Sequence, residues 1–270
     1  MNHHVAHACS AYFTSPFDNA TILIVDARGD DVNFSIFFAQ GMQLQKVVSL
    51  FRPLNTPMFW EGVCVNNFKM IRKEGSEIAP WSHMYPSTGP GKIMALAAYG
   101  REDPDIRRQI YADISLPVVL DNMTEQYRFG GTYNWGQDLS DTRSAESQAV
   151  AAALQHWTNE DLISAMRLAA KFAPLENLCY AGGRALNCIA TSHAFTRSPF
   201  KRLYVPPFAN DAGIAAGVAL AAYYASSPAA RRRPSLPIPA RATAATRSTR
   251  RSPLRPASRP RPSTPHASPS

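Results

Sequence analysis

HHVAHACSAYFTSPFDNATILIVDARG, residues 3–29, passes from helical to strand periodicity within one short stretch. On a helix, His3 and His7 lie on one face, one turn apart, which is a metal-binding geometry. Two imidazoles hold a divalent ion only when other ligands close the site; otherwise such a pair is an ordinary solvated face. Residues Ser15 to Asn19 read as a turn, Thr21 to Val25 as a β-rich run, and Asp26 ends that run before a turn at Gly29. A carboxylate at the end of a buried strand faces the rim that leads into it. Asp26 is therefore one candidate partner for the histidines.

The second candidate lies near the other end, in LYVPPFANDAGIAAGVALAAYY (203–224). A short strand, Leu203 to Val205, is followed by a loop with Asn210, Asp211 and Gly213 and then by a small-residue helix. Asp211 thus sits at a strand-to-helix turn, where ligand sites of α/β folds gather. Between the two ends, NFSIFF and LQKVVSL flank a turn at Gly41. Ser144 to Phe172 has helical apolar spacing, with a possible break where Thr158 and Asp161 form a capping pair. Strand Asn177 to Tyr180, the turn Ala181 to Arg184 and a helix through Ala194 follow. Leu50 to Ser140 is irregular, and only GKIMALAAYG (91–100) stands out. Repeated strand, glycine turn and helix units predict an α/β nucleotide-binding lobe.

Composition narrows the class. The formal charge is +8, but ten arginines lie between Arg231 and Arg261; without them 18 basic residues face 20 acidic ones. The folded part, at −2, has no bulk-charge reason to bind nucleic acid. Cys9, Cys64, Cys179 and Cys188 form no C-x-x-C pair, and Met1 is followed by Asn2 and His3 rather than an apolar run. No stretch reaches the ~18 apolar residues of a bilayer span. The expectation is a cytoplasmic protein with free thiols and no membrane partner. Its tail, rich in arginine, proline and serine, lacks acidic residues and cannot build a core. The division predicted is 1–225 as the domain and 226–270 as a disordered tail.

The glycine motifs suit phosphate. In YAGGRALN (180–187), Gly182 and Gly183 let the backbone approach a ligand, and Asn187 touches either the nucleotide or its own helix start. Gly213 and Gly217 allow close approach of a phosphate or of a neighbouring helix, with packing the expected role for Gly217. Lys92, beside Gly89 and Gly91, reads as a phosphate-binding cation or as a solvated lysine at a helix start. His83 and His156 read as structural or surface residues.

In this order, HHVAHACSAYFTSPFDNATILIVDARG, GKIMALAAYG, YAGGRALN and NDAGIAAGVAL resemble the O-carbamoyltransferases of antibiotic and nodulation-factor biosynthesis, over roughly Asn2 to Tyr224. The resemblance implies an actin-like ATPase (ribonuclease H-like) α/β fold with mixed sheets flanked by helices. It implies His3, His7, Asp26 and Asp211 as ligands of one metal ion, Fe(II). Lys92, Gly182, Gly183, Asn187 and Gly213 become the residues expected to contact ATP or carbamoyladenylate. The donor would be made from carbamoyl phosphate and ATP by an adenylate-forming domain acting in trans. This domain would pass the carbamoyl group to a hydroxyl of a sugar or secondary metabolite. His4 is the residue expected to orient the acceptor or take its proton, against the simpler reading that it packs. Relatives carry a segment before the histidine motif that is expected to be missing here; Asn2 stands where they often have Asp, and Arg184 follows the glycine pair. The alternative is a non-catalytic, truncated binding module of the same fold. A third reading, a tRNA-acting metalloprotein, is disfavoured by the near-neutral body.

Overall fold

Ile22, Leu23, Ile24 and Val25 are all buried, because the strand that carries them is covered on both faces. The computed structural model describes residues 1–30, 32–51, 56–69, 89–114, 116, 118–121, 126–226 and 244–246. In chain order the elements are α1 (His3–Thr14), β1 (Asn19–Gly29), β2 (Val32–Gln40), β3 (Gln43–Leu50), α2 (Thr56–Asn66), α3 (Gly89–Leu96), α4 (Pro104–Asp113), β4 (Val118–Asp121), β5 (Gln126–Phe129), α5 (Ala145–Phe172), β6 (Asn177–Ala181), α6 (Cys188–Thr196), β7 (Arg202–Tyr204), α7 (Ile214–Ser226) and β8 (Ala244–Thr246). The main sheet has the order β3-β2-β1-β6-β7-β8. β1, β2 and β3 form an antiparallel meander, whereas β6 lies parallel to β1 and β7 parallel to β6. This mixed sheet flanked by helices is the expected α/β lobe.

Alternation along β1 divides the core. Ile22 and Ile24 face α1 and α7, packing with Tyr12, Phe13 and Tyr224. Leu23 and Val25 face the second half of α5 and α6, packing with Leu162, Met166 and Phe195. Successive strand side chains point to opposite faces, so a strand between two helical layers is apolar at every position. Gly217 brings the helices of the first layer together: a Cβ there would lie 2.0 Å from the Ala6 carbonyl oxygen, so α7 crosses α1 backbone to backbone. This is the packing role expected for Gly217.

α5 runs unbroken through Thr158, where an interruption was expected. Thr158 Oγ donates to the Leu154 carbonyl (2.8 Å) and accepts from the indole N–H of Trp60 (2.9 Å). Asp161 pairs with Arg184 instead of capping. Both polar side chains are consumed by tertiary partners, and the helix continues. Its first half packs a second cluster of Val150, Leu154 and Trp157 with Phe59, Val63 and Ile110.

That cluster occupies the stretch read as irregular, which contains α2, α3, α4 and the β4–β5 hairpin. Asp103 caps α4, accepting from the Asp105 and Ile106 amides, with Pro104 in the first turn. Asp113 at its end is buried and accepts from the Thr132 and Tyr133 amides (2.8 Å each) and the Trp135 indole (2.9 Å), tying the following loop to the helix. His83 lies outside the described residues. His156 is hydrogen-bonded to Tyr111 on α4, in keeping with a structural role. Of the arginine-rich tail, residues 244–246 are described, and they pair with β7; the rest of the tail lies outside the described residues.

Candidate metal centre

Asn2 caps α1, its side-chain oxygen accepting from the Val5 amide (3.3 Å), and so starts the helix one residue before His3. His3 and His7 then project from one face toward the end of β1. The β1–β2 register shifts between Val25 and Gly29, a bulge that frees Asp26 from the ladder. Asp26 Oδ1 accepts from the amides of Ala27 (2.8 Å) and Gly183 (3.1 Å), which leaves Oδ2 for the histidines. His3 Nε2 lies 3.0 Å and His7 Nε2 3.1 Å from that oxygen. Asp211, in a single helical turn ahead of α7, brings Oδ1 to 3.3 Å from both nitrogens.

The four candidate ligands therefore meet. One ligand atom from each of His3, His7, Asp26 and Asp211 lies within 4.8 Å of the others, and the two Nε2 atoms are 3.2 Å apart. A point equidistant from four atoms so spaced is roughly 2–2.5 Å from each, the length of bonds from nitrogen and oxygen to a divalent ion. With neutral imidazoles the group carries −2, balanced by one dication or by two protons. The donor set and its spacing fit a metal.

Electrostatics agree with that accounting. Hydrogen bonds to Asp211 and then Asp26 raise the pKa of His3 to about 10. Burial opposes charge on His7, but its bonds to the same carboxylates more than offset this and raise its pKa. Burial likewise opposes charge on Asp26, yet the two imidazoles hold it well below the usual carboxylate range. Asp211 is lowered, first by its bond to His3. The cluster is closed on the His7 and Asp26 side, and open at Asp211, whose side chain is 68% exposed.

The remaining candidate residues lie around this cluster and on the neighbouring helices. His4 is fully buried, with Nδ1 2.8 Å from Ser35 Oγ. Burial lowers its pKa to about 4. Its ring lies against Gly29, where a Cβ would come within 2.3 Å of it. Among the described residues, His4 is covered on every side. Gly182, at φ +96°, passes the Val25 carbonyl so closely that a Cβ would sit 2.2 Å from the oxygen. The Gly183 amide is engaged by Asp26 rather than free for phosphate. Asn187 caps α6 through the Ala190 amide (2.9 Å) and exchanges hydrogen bonds with Gln155. Gly213 packs on the Phe208 carbonyl. Lys92 is exposed in the first turn of α3 and has no hydrogen-bond or ion-pair partner among the described residues. Arg184 turns away from the glycine pair into the protein, where it meets Asp161 and the Thr158 carbonyl.

Sequence reasoning missed Asp30. Its carboxylate Oδ2 accepts from the His3 amide (2.9 Å) and from Asn2 Nδ2 (2.7 Å), and its φ is +56°. The run Gly29, Asp30, Asp31 announced a turn, but nothing in it announced a bond to α1.

Comparison with known proteins gives the family. The chain is 31% identical over 242 residues to the uncharacterized protein sll1178 of Synechocystis, covering 82% of this chain and 36% of that one. Nodulation protein NolO of Bradyrhizobium diazoefficiens is 27% identical over 235 residues, covering 82% and 38%. Nodulation protein U of Sinorhizobium fredii is 26% identical over 245 residues, covering 80% and 40%. The chain thus spans well under half the length of these relatives. Among solved structures, full-length HypF in its phosphate- and nucleotide-bound form aligns at TM-score 0.36 and 14% identity, over 82% of this chain and 42% of that one. The family model described as carbamoyltransferase N-terminus matches residues 1–220. With that match covering most of the sequence and all four converging side chains, the chain belongs to the carbamoyltransferase N-terminus family.

Proposed function

We propose that the chain is the metal-holding part of a carbamoyltransferase, passing a carbamoyl group from carbamoyladenylate to a hydroxyl of a sugar or secondary metabolite. The convergence of His3, His7, Asp26 and Asp211 carries the reading. A divalent ion held there would polarise a carbonyl oxygen and lower the pKa of a hydroxyl. Fe(II) follows from the family resemblance; two nitrogens and two carboxylates also accept zinc or manganese.

The chain's own residues supply position and access. Asp26 is fixed by the Ala27 and Gly183 amides, so one carboxylate is rigid before any ligand arrives. His7 is walled in, while Asp211 and the edge of His3 face solvent. Donor and acceptor would enter on that open side. Asp211 stays ionised, since its bond to His3 depresses its pKa. His4, held by Ser35, supports the wall behind the cluster. Lys92, Gly182, Gly183, Asn187 and Gly213 are retained as candidate nucleotide contacts, reached from the same motifs. The donor would be made elsewhere, by an adenylate-forming partner.

The test supplies the chain, loaded anaerobically with Fe(II), with synthetic carbamoyladenylate and hydroxyl acceptors. Carbamoyl ester detected by mass spectrometry and lost in His3→Ala and His7→Ala supports the enzyme. Absence of both metal uptake and turnover supports a non-catalytic binding module.

A further inference from the structure

The side chain of Asp30, in the β1–β2 turn, reaches the backbone of α1 at His3. Its Oδ2 accepts from the His3 amide at 2.9 Å and from the side chain of the capping residue Asn2 at 2.7 Å. The backbone at Asp30 is left-handed, at φ +56°, a conformation that costs an L-residue something and is met chiefly by glycine and, less readily, by asparagine and aspartate. Next to it, Gly29 is where a Cβ would come within 2.3 Å of the His4 ring and 3.1 Å of the His3 ring. The turn is therefore folded tightly onto the first turn of α1. β1 and the turn that follows it thus reach the same helix at two points: Asp26 meets the His3 and His7 side chains, and Asp30 holds the His3 main chain.

We infer that Asp30 is a positioning residue for the metal centre, fixing the first turn of α1 so that His3 Nε2 stays within reach of Asp26 and Asp211. The inference rests on the metal reading above. An accepting carboxylate at this point satisfies an amide that an α-helix leaves unpaired at its start, and a negative charge there suits the helix dipole. Without it the first turn is free to fray, and His3 sits in that turn, whereas His7, one turn further in, is held by the packing of α1 on the sheet and α7. His3 is the ligand whose placement needs a separate support.

Asp30→Gly separates positioning from stability. Glycine accepts φ +56° without strain, which offsets much of the lost hydrogen bonding at the exposed turn, so the metal-free variant should stay folded with a melting temperature within a few degrees of the original chain's. Yet the acceptor for the His3 amide is gone. Co(II) titrated into the full chain under its d–d absorption should bind roughly 10–100-fold more weakly in Asp30→Gly, with an altered band envelope. Asp30→Asn keeps an oxygen for the amide and tolerates the same backbone, so it should recover most of that loss. An Asp30→Gly variant that binds Co(II) as tightly as the original chain overturns the inference. So does an Asp30→Asn variant as weak as Asp30→Gly, since the carboxylate would then act through its charge alone. Amide hydrogen exchange of the metal-free chain decides the point separately: the His3 amide should exchange roughly tenfold faster in Asp30→Gly while amides of β1 are unchanged. If the original chain takes up no Co(II), the metal reading falls, and an unchanged His3 exchange rate would show that Asp30 does not hold the helix either.

Discussion

Replacing Gly217 by alanine should loosen the metal cluster from a distance. A Cβ at this position would lie 2.0 Å from the Ala6 carbonyl oxygen and 2.8 Å from its carbon, whereas ordinary contact begins near 3.4 Å. The obstacle is main chain, so no rotamer change relieves it, and α7 must back away from α1 by something on the order of 1 Å. Two effects compete. Alanine gains about 1 kcal/mol over glycine in helix propensity, but overpacking against a rigid backbone costs about 1–3 kcal/mol, so the balance is a modest loss of stability. The functional effect is more selective. α1, which carries His3 and His7, and β1, which carries Asp26, are also packed on each other in the sheet layer, whereas Asp211, three residues ahead of α7, moves with that helix. A retreat of that size would take Asp211 Oδ1 from 3.3 Å to beyond useful distance from both imidazoles while leaving the His3, His7 and Asp26 contacts in place. Gly217→Ala should therefore copy Asp211→Asn, each weakening metal binding by roughly 10–100-fold, and combining the two should add little. Competition titration with a chromophoric chelator measures this. A Gly217→Ala chain with unchanged affinity and melting temperature would show that the helix crossing has slack, and the coupling argued here would be wrong.

The buried pair Arg184–Asp161 offers a second test: their side chains are 3% and 7% exposed, so Asp161→Ala should cost about 3–5 kcal/mol by stranding the guanidinium. Asp161→Ala with Arg184→Met should recover much of that in urea unfolding, and strictly additive losses would refute the pairing. Metal uptake should release protons, because His3, raised to about 10, is protonated in the metal-free chain at neutral pH. Its contribution to metal-free stability is complete below about 6.5 and is lost as pH rises through about 10. Apparent metal affinity should accordingly climb across that window, roughly tenfold per pH unit for each proton displaced; calorimetry in buffers of differing ionisation enthalpy counts the protons, and none released would contradict the cluster's charge balance. Of the four thiols, only exposed Cys188 should react promptly with a disulfide reagent in the native chain, since Cys9, Cys64 and Cys179 are buried and burial pushes Cys9 up to about 11. All four should react once the chain is unfolded.

The sheet and the candidate ligand pair on α1 were readable because each rests on a local signal. Ile22 to Val25 is a continuous apolar run, as a strand covered on both faces must be, and His3 and His7 are spaced for one helix face. What the residues did not reveal is how polar groups are spent. Thr158 and Asp161 have the pattern of a helix cap, but Trp60 and Arg184, distant in sequence, claim them. Gly183 looks like a phosphate-binding glycine, yet its amide serves Asp26. α2 was hidden because TPMFWEGVCVN is apolar nearly all round and has no charged face to set its period. α4 was legible in principle from Asp103 and Pro104. Asp30 left no trace, since a hydrogen bond to a backbone amide imposes no spacing.

A helix of 28 residues is a rod about 42 Å long, and α5 is such a rod. Its first half is embedded among Phe59, Val63 and Ile110, its second among Leu23, Leu178 and Phe195. Two hydrophobic interiors are thus skewered on one shaft, with Thr158 and Asp161 near its midpoint gripped by Trp60 and Arg184. Those two contacts tie the helical cluster to the sheet layer at the middle of the rod. Since Arg184 directly follows the glycine that anchors Asp26, the leverage ends beside the candidate metal ligands.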